Sequence, residues 1–535
     1  MPIPRVRPST PKLREILVLL GLARHRVTAA GVEQRIRDRL GRREELFLNV
    51  AERHIFGASK SPYRPLLDLA GYDFARLRQI VLSLGVDDAL DRLWQDGVYI
   101  RIREFKGQEP ARRGDHTFQF RQSDFANPDV APVLQSWTSG STRASVRSAV
   151  SAEEFLNSAR VWGWLLEGYG LSDRDFVLWM TPRMGLRGVL THIVLRRAPL
   201  RWFTLDRIDR TYTLFVHAAR LITGLPIPLP QPMPADAVLQ IARHIAAVNS
   251  SRGMIVQTMV SSALRLVLAA EEAGIRLGDV VFIMGGEPLT PTKRRQFETR
   301  GYGVISAFAF AEFGSAAWAC SHGREPDDLH VLTDRLALRQ YPRFVDHNGA
   351  AVSAYLFTGL LPDMRHIMVN MESGDYGGLE TRGCGCFLER AGLRQHMHTI
   401  RSFEKLTAEG LTFVGPTLIG LLEEILPGEF GGTQADYQLV EAEDAGGQTR
   451  LYLLASPRLG PLDEGALRGT VLREIRDRHI SPGDGRQIHR IWERADTIQI
   501  LRRRPLATYT GKIHHLHRHD GTLAAERGEV QGGAE

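Results

Sequence analysis

The sequence predicts an α/β fold, with a large N-terminal domain of mixed sheets and helices followed by a small α+β C-terminal domain. The chain has 535 residues, more than one ordinary domain contains. From about residue 130, short apolar runs such as "DVVFIMGG" alternate with helical runs such as "SALRLVLAAEEAG". Near residue 400 the pattern changes to strands typical of an antiparallel sheet, together with a helix.

The chain divides into four predicted segments. Residues 1–130 are amphipathic helices that lead into the large domain, and "DGVYIRIREFKG" near their end alternates as a half-buried strand does. Residues 131–401 form the core of the large domain, and 402–518 form the small domain. The tail, 519–535, is polar and Gly-rich, so we expect it to be disordered.

Composition excludes several classes of protein. No apolar run approaches 18 residues, so we expect no membrane span. The short apolar stretch near the start is surrounded by charges and has no small-residue cleavage site, which indicates a helix rather than a signal peptide. Three cysteines without an export signal indicate the reducing cytoplasm and no disulfide framework.

The net charge of +7 and the pI of about 9.4 have two interpretations. One is a nucleic-acid partner. The other is an arginine-biased composition spread over the whole chain, which contains only six lysines among 68 Lys and Arg residues. Because no dense basic block with interleaved aromatic residues occurs, we favour the second and expect no specific nucleic-acid partner.

Four short stretches carry candidate chemistry, although each alone is more often ordinary structure. "SWTSGSTRASVR" can turn its amides and hydroxyls toward a phosphate, but such clusters are usually plain loops. "VVFIMGGEPLTP" ends a buried strand in glycines, where ligands commonly bind. Glu312 in "SAFAFAEFG" is a candidate Mg²⁺ ligand or a helix cap. Asp375 in "NMESGDYGG" could accept two sugar hydroxyls or only local hydrogen bonds.

In this order, followed by "IRSFEK" and "TGKI", the stretches resemble the adenylate-forming superfamily of acyl- and aryl-CoA ligases, and most of all its phenylacetate–CoA ligase branch. The resemblance covers residues 60 to 515, weakly before residue 130. It implies a large adenylation domain, a small mobile C-terminal domain, and ATP and Mg²⁺ as cofactors. Residues that match its nucleotide-binding positions are Thr138, Ser139, Gly140, Ser141, Thr142, Gly286, Glu287, Pro288, Phe308, Ala309, Asp375 and Arg401.

The resemblance also implies two catalytic residues. Glu312 matches the Mg²⁺ carboxylate, and Lys512 matches the mobile lysine of the small domain. Adenylation places negative charge on the carboxylate, the α-phosphate and the leaving pyrophosphate together, and a compact cation aimed there stabilises the transition state. Arginine, with its planar fork, does not replace lysine in such a slot. The alternative for Lys512 is an ordinary surface lysine.

Two positions depart from the family pattern. Arg143 stands where the family's phosphate loop continues with glycine, and Ala311 replaces a threonine whose hydroxyl contacts phosphate. Losing that hydrogen bond removes about 1 kcal/mol. A catalytically silent, nucleotide-binding relative with a scaffold or regulatory role is therefore the alternative to an active enzyme.

All three cysteines lie near the proposed nucleotide site: Cys320, Cys384 and Cys386. Three thiolates and one histidine are a common tetrahedral Zn²⁺ set. His322 and His330 both lie downstream of Cys320, and some phenylacetate–CoA ligase relatives carry a similar site with the histidine in a strand, so we favour His330. The expected role is structural. The alternative is three buried apolar thiols.

Together these features predict an AMP-forming acid–thiol ligase. It would activate a carboxylic acid as an acyl-adenylate and pass the acyl group to an external acceptor: coenzyme A, the phosphopantetheine of a carrier protein or, less readily, an amine. The segment 258–270 and the run 307–310 are apolar and border the expected acid pocket, which favours an aromatic or aliphatic acid.

Overall fold

The computed structural model describes residues 13–131, 134–137, 147–344, 351–402, 406–408, 411–413, 421–478, 489–506, 516–518 and 523. Over these residues it confirms the predicted α/β fold. A twelve-stranded mixed sheet lies at the centre, accompanied by a four-stranded sheet and three two-stranded sheets. The residues outside these ranges include much of the predicted phosphate loop, the segment around Lys512 and nearly all of the predicted tail.

The described chain begins with helices. They are α1 (Leu13–Ala23), α2 (Val32–Leu40), α3 (Arg43–Val50), α4 (Arg64–Leu69), α5 (Phe74–Leu84), α6 (Val86–Gln95) and α7 (Ile102–Phe105). Asp73 caps α5, because its side chain accepts a hydrogen bond from the amide of Arg76 at 2.7 Å. A short hairpin follows, formed by β1 (Ala111–Arg113) and β2 (His116–Phe118).

The next segment contains the parallel half of the large sheet. A hairpin of β3 (Leu134–Trp137) and β4 (Arg147–Val150) precedes it. Its elements are α8 (Ala152–Gly168), β5 (Asp175–Met180), α9 (Pro182–Val194), β6 (Arg201–Thr204), α10 (Arg210–Thr223), β7 (Gln231–Pro232), α11 (Val238–Val248), β8 (Met254–Met259), α12 (Val260–Glu272), β9 (Val280–Gly285), α13 (Pro291–Glu298) and β10 (Gly303–Phe310). Strands β8 and β9 are almost continuously apolar, because helices cover both faces of this half.

The antiparallel half of the large sheet follows. Its elements are β11 (Gly314–Ala319), β12 (Leu329–Val331), β13 (Leu336–Phe344), β14 (Ala351–Gly359), β15 (Met371–Thr381), α14 (Phe387–Arg390) and β16 (Gln395–Ser402). The order of strands is β13-β14-β15-β16-β12-β11-β10-β9-β8-β5-β6-β7. Strand β10 pairs in parallel with β9 and antiparallel with β11, so the two halves meet at β10.

The C-terminal elements form a separate sheet. They are β17 (Leu406–Ala408), β18 (Leu411–Phe413), α15 (Leu426–Phe430), β19 (Tyr437–Glu443), β20 (Thr449–Ala455), α16 (Glu464–Arg478), β21 (Ile498–Arg502) and β22 (Leu516–Arg518). Strands β17 and β18 pair with each other, and the four-stranded sheet has the order β21-β20-β19-β22. Among the helices of the described ranges, none is long and apolar enough to cross a bilayer.

A buried lysine joins this C-terminal sheet to the large domain. Lys293, in the first turn of α13, is 2% exposed. Its Nζ donates to Thr449 Oγ1 at 2.8 Å and to the carbonyl of Pro288 at 3.4 Å, and lies 3.3 Å from Glu443 Oε1. The Thr290 hydroxyl, which caps α13, also donates to Glu443 at 2.8 Å. The tip of the β19–β20 hairpin is thus anchored on α13.

We predict that Lys293→Met loosens this anchor while keeping the apolar stem of the side chain. Glu443 and Thr449 lose a charged donor, and a hydrogen bond of that kind contributes about 2 kcal/mol. Native-state hydrogen exchange should report faster exchange in β19 and β20. Lys60→Met, at an exposed lysine, is the matched control and should leave the exchange unchanged. Equal protection in both variants would contradict the anchoring role.

Candidate functional site

Two of the predicted binding segments lie side by side at the junction of the sheet. Strands β9 and β10 are parallel, and Gly285 is the register partner of Ala307. Gly286, with a φ of +83°, turns the chain immediately after β9. A side chain at Gly285 would also approach the carbonyl oxygen of Ala307 to 3.1 Å. The glycines therefore allow the "GGEP" segment to pass close to the run that begins at Phe308.

Glu287 is held by the large domain rather than directed outward. Its carboxylate accepts a hydrogen bond from the hydroxyl of Ser261, a fully buried residue in the first turn of α12. An acidic group is stabilised near the N-terminus of a helix. Glu287 therefore fixes the course of the segment, and no local motif in the sequence marked Ser261 as its partner.

An aromatic cluster borders the end of β10. The ring of Phe308 stacks nearly parallel to that of Phe357 of β14, with centroids 6.0 Å apart, and the centroid of Phe310 lies 4.8 Å from that of Phe357. Four strands separate β14 from β10 in the order of pairing, so the sheet must curve strongly to bring them together. The apolar lining predicted around residues 307–310 thus gains a partner, Phe357, that the sequence did not indicate.

Glu312 lies in the tight turn between β10 and β11. The residue is 8% exposed. Among the described residues, none donates a hydrogen bond to its carboxylate or forms an ion pair with it. The carboxylate oxygens are not among the buried polar atoms that lack a partner, so they reach solvent and are available to a cation. This arrangement fits a Mg²⁺ ligand.

Asp375 and Arg401 lie on neighbouring antiparallel strands. Asp375 is the register partner of Ser402, and Tyr376 is that of Arg401. Arg401 also lies 3.6 Å from Asp327, whose carboxylate accepts hydrogen bonds from the amides of β16. The register therefore places Asp375 and Arg401 one step apart on adjacent strands, with Asp375 on the face of Ser402 and Arg401 on the opposite face, that of Tyr376.

Tyr355 connects the two parts of the candidate site. Burial raises its pKa, and the nearby carboxylates of Asp327 and Asp375 raise it further. Its ring lies 6.4 Å from that of Phe357, which contacts Phe308. The neutral phenol donates a hydrogen bond to the carbonyl of Gly378 at 2.8 Å. One continuous group of contacts thus runs from the end of β10 to strand β15, which carries Asp375.

The cysteines form a compact cluster at the other end of β11 from the Glu312 turn, because Glu312 precedes this six-residue strand and Cys320 follows it. The expectation that the cysteines border the nucleotide site is therefore wrong. Cys320, His330, Cys384 and Cys386 each offer a ligand atom, and these atoms all lie within 4.8 Å of one another. His330 Nε2 lies 3.1 Å from Cys386 Sγ and 3.4 Å from Cys384 Sγ. With metal–sulfur bonds of about 2.3 Å, tetrahedral Zn²⁺ requires ligand atoms at this spacing.

The surrounding backbone and side chains orient the cluster. His330 donates through Nδ1 to the carbonyl of Leu393 at 2.7 Å, which leaves Nε2 as the free acceptor. The amides of Cys384 and Gly385 donate to the Glu389 carboxylate at 2.7 and 2.5 Å. His322, the other candidate ligand, hydrogen-bonds instead through Nδ1 to the carbonyl of Cys384 at 2.8 Å.

Nothing in the sequence indicated two residues that lie next to the cluster, His396 and Asp328. The ring of His396 packs on that of His330, with centroids 3.9 Å apart, and its Nδ1 lies 2.7 Å from Asp328 Oδ1. Burial opposes ionisation of Asp328, but hydrogen bonds from His396 and from the amide of Arg324 outweigh it, and the pKa of Asp328 is about 2. His396 and Asp328 are 68 positions apart, and no spacing pattern joins them.

Comparisons with known proteins place this geometry in context. No protein-family model matches the chain, and no curated protein matches it either. The crystal structure of 2-hydroxyisobutyryl-CoA ligase with 2-HIB-AMP and CoA, in its thioesterification state, aligns with a TM-score of 0.51 over 94% of this chain and 92% of that chain, at 14% identity. The chain has the fold of the adenylate-forming enzymes. A double mutant of o-succinylbenzoate CoA synthetase from Bacillus subtilis aligns less well, with a TM-score of 0.38 over 72% of this chain and 68% of that chain, at 15% identity.

The described residues of this fold include many of the predicted site residues. They include the "GGEP" segment, the run 308–312, Asp375, Arg401 and the four candidate metal ligands. The predicted phosphate loop, Thr138 to Thr142, lies outside the described residues, as do Arg143 and Lys512. Their roles stay predictions.

Proposed function

We propose that this chain is an ATP-dependent ligase that activates a carboxylic acid as an acyl-adenylate and transfers the acyl group to an external thiol. The observation that carries the proposal is the carboxylate of Glu312. The residue is largely buried, but its carboxylate reaches solvent, lacks a hydrogen-bond or ion-pair partner among the described residues, and follows the aromatic end of β10. The fold supports the same conclusion.

Each residue of the site has a proposed task. Glu312 would hold Mg²⁺ against the phosphates of ATP. Asp375 would accept the ribose hydroxyls, and Arg401 on the next strand would support the nucleotide. Phe308, Ala309 and the segment 286–288 would border the adenine ring. Because these groups are fixed before substrate arrives, little reorganisation accompanies the reaction.

The proposed acid is aromatic or aliphatic. Phe308 and Phe310, which pack on the fully buried ring of Phe357, form an apolar surface near the end of β10. The buried first turn of α12 follows β8, the strand next to β9. Such a surface binds an apolar substituent and leaves a second charged group without a partner. Sugars and dicarboxylates are therefore poor candidates.

The acceptor we propose is coenzyme A or the phosphopantetheine of a carrier protein. The aligned ligase was crystallised with CoA, and a thiol is the usual acceptor of the family that the sequence resembles. The small C-terminal domain, from about residue 402, would reorient between adenylation and transfer. The anchor at Lys293 would then belong to one of its two orientations.

A catalytically silent, nucleotide-binding scaffold is the second candidate, because Arg143 and Ala311 replace residues that contact phosphate in the family. A panel of carboxylic acids with a pyrophosphate-release assay distinguishes the two. Acid-dependent release supports the ligase. Nucleotide binding without release, over a panel that includes aromatic and aliphatic acids, supports the scaffold.

We predict that Lys512→Ala lowers the rate of ATP–pyrophosphate exchange by a factor of about 10² to 10³, as removal of one charge partner of a transition state does. Lys512→Arg should be nearly as slow, since the planar fork does not match the slot of a compact ammonium group. Lys60→Ala, at an exposed lysine, is the control. Near-normal exchange in Lys512→Ala would remove this residue from the mechanism.

We further propose that the Cys₃His cluster binds one structural Zn²⁺. Four protein ligands close the coordination sphere and leave no open position for catalysis. The ligands come from the end of β11, from β12 and from the connection between β15 and α14, so the ion would join three segments of the large domain. Reduced thiols for this site require a reducing compartment, which is consistent with the cytoplasm.

We predict about one zinc per purified chain by elemental analysis. Cys384→Ser should lose the metal and unfold at a lower temperature, because metal binding contributes directly to the free energy of folding. An absence of zinc, or a variant as stable as the parent, would contradict the assignment. Loss of activity with the metal retained would indicate a reactive thiol instead.

We also predict that the protein does not acylate itself. Self-acylation requires an accessible thiolate that is free to attack, and all three cysteines of the chain belong to the cluster. Incubation with ATP and labelled acid, followed by denaturation, should leave the label on free acyl-adenylate. Coenzyme A or a carrier protein should then discharge it. A hydroxylamine-sensitive label on the protein would overturn both this prediction and the zinc site.

A further inference from the structure

The turn that carries Glu312 is fixed through its backbone on both sides of that residue. Arg365 donates from Nη1 to the carbonyl of Ala311 at 2.7 Å. The next residue, His366, hydrogen-bonds through Nδ1 to the carbonyl of Glu312 itself at 3.0 Å. Burial lowers the pKa of His366, so its ring is neutral and Nδ1 carries the donated proton. Two adjacent residues thus fix two successive carbonyl groups.

The rest of the Arg365 guanidinium is paired with a carboxylate. Its Nε lies 2.9 and 3.1 Å from the two oxygens of Glu154, and its Nη2 lies 2.8 Å from Glu154 Oε1. The side chains are 0% and 3% exposed. Gly314 leaves room for the pair, because a Cβ there would approach Arg365 Nη2 to 3.2 Å.

Glu154 lies close to the β3–β4 hairpin. It is in the first turn of α8, where its amide donates to the capping hydroxyl of Ser151 at 3.0 Å. Strand β4 ends at Val150, directly before this cap, and pairs with β3. Glu154 therefore follows the base of this hairpin.

Fold stability alone does not require the buried ion pair of Arg365 and Glu154. A buried ion pair is often no more stabilising than apolar residues of the same volume, because both charges lose their hydration. An apolar pair would leave the carbonyl of Ala311 without a donor, and the turn would lose its fixed position. Arginine can satisfy a carboxylate and a carbonyl together with its planar set of donors.

We propose that Arg365, assisted by Glu154 and His366, is a positioning residue that sets the Glu312 carboxylate at a fixed place relative to the first turn of α8. The proposal rests on the proposed function, in which Glu312 holds Mg²⁺ against the phosphates of ATP. Ala311 takes part through its backbone carbonyl, which accepts the hydrogen bond of Arg365.

Arg365→Lys tests the proposal, because one ammonium group cannot bond Glu154 and the Ala311 carbonyl with the same geometry. The Mg²⁺ concentration for half-maximal ATP–pyrophosphate exchange should rise about tenfold or more, the effect expected when the support of a metal ligand is lost. His366→Phe, which keeps an aromatic ring against Phe105, should shift it in the same direction. The His366→Phe variant also tests the proposal if Arg365→Lys fails to fold.

The matched control is Arg113→Lys. Arg113 forms a similar buried pair with Glu104, at 3.0 and 3.1 Å, and also donates to the carbonyl of Gly97, but none of its bonds reaches the Glu312 turn. It should lower the thermal midpoint of unfolding and leave the Mg²⁺ requirement unchanged. An unchanged requirement in Arg365→Lys or His366→Phe, or an equal rise in Arg113→Lys, would overturn the proposal.

Binding of Mn²⁺–ATP, followed by the electron paramagnetic resonance of Mn²⁺, separates this proposal from the ligase activity. A parent protein without exchange activity that binds Mn²⁺–ATP, with at least tenfold weaker binding in Arg365→Lys, would contradict only the ligase. Equal binding by parent and variant would contradict only the positioning role. A parent that binds no Mn²⁺–ATP would overturn both.

Discussion

The change of pairing at β10, from parallel with β9 to antiparallel with β11, is the constraint on which the candidate site depends. Parallel strands present their carboxyl ends at one edge, where ligands bind. An antiparallel neighbour requires a tight turn at the same edge. Phe308 and Glu312 stand at that turn, so the geometry that joins the two halves of the sheet also creates the place that we propose for a nucleotide.

Ion pairs and hydrogen bonds of buried charged side chains connect segments of this protein that are distant in sequence. Arg365 and Glu154 are 211 positions apart, and Lys293 and Thr449 are 156 apart. The second connection crosses between the large domain and the C-terminal sheet, as do the ion pairs Arg490–Asp206 and Arg494–Asp236. The interface is not polar throughout, because one cluster of buried apolar residues contains side chains of both the large domain and the C-terminal sheet. The proposed reorientation would have to separate apolar as well as polar contacts.

The sequence predicted the fold class because buried strands such as β8 and β9 are short, apolar and separated by helices. It also predicted the glycine turn after β9, since only glycine allows that backbone. It could not predict that Phe357 reaches β10, because this contact depends on the curvature of the whole sheet. Likewise, the sequence favoured His330 as the fourth metal ligand but did not exclude His322. The register of β12 with β16 decides where His330 points, and register is a long-range property.

Lys512 is one of only six lysines in the chain, and Lys293, another of the six, has a structural task. Its ammonium group has three protons, and Thr449, Glu443 and the carbonyl of Pro288 supply three acceptors in a buried slot. The five donors of an arginine would exceed these acceptors, and an unsatisfied buried donor is unfavourable. Scarcity alone does not assign a task, because Lys293 is structural and Lys60 is simply exposed. The assignment of Lys512 rests accordingly on the "TGKI" motif and its place in the small domain.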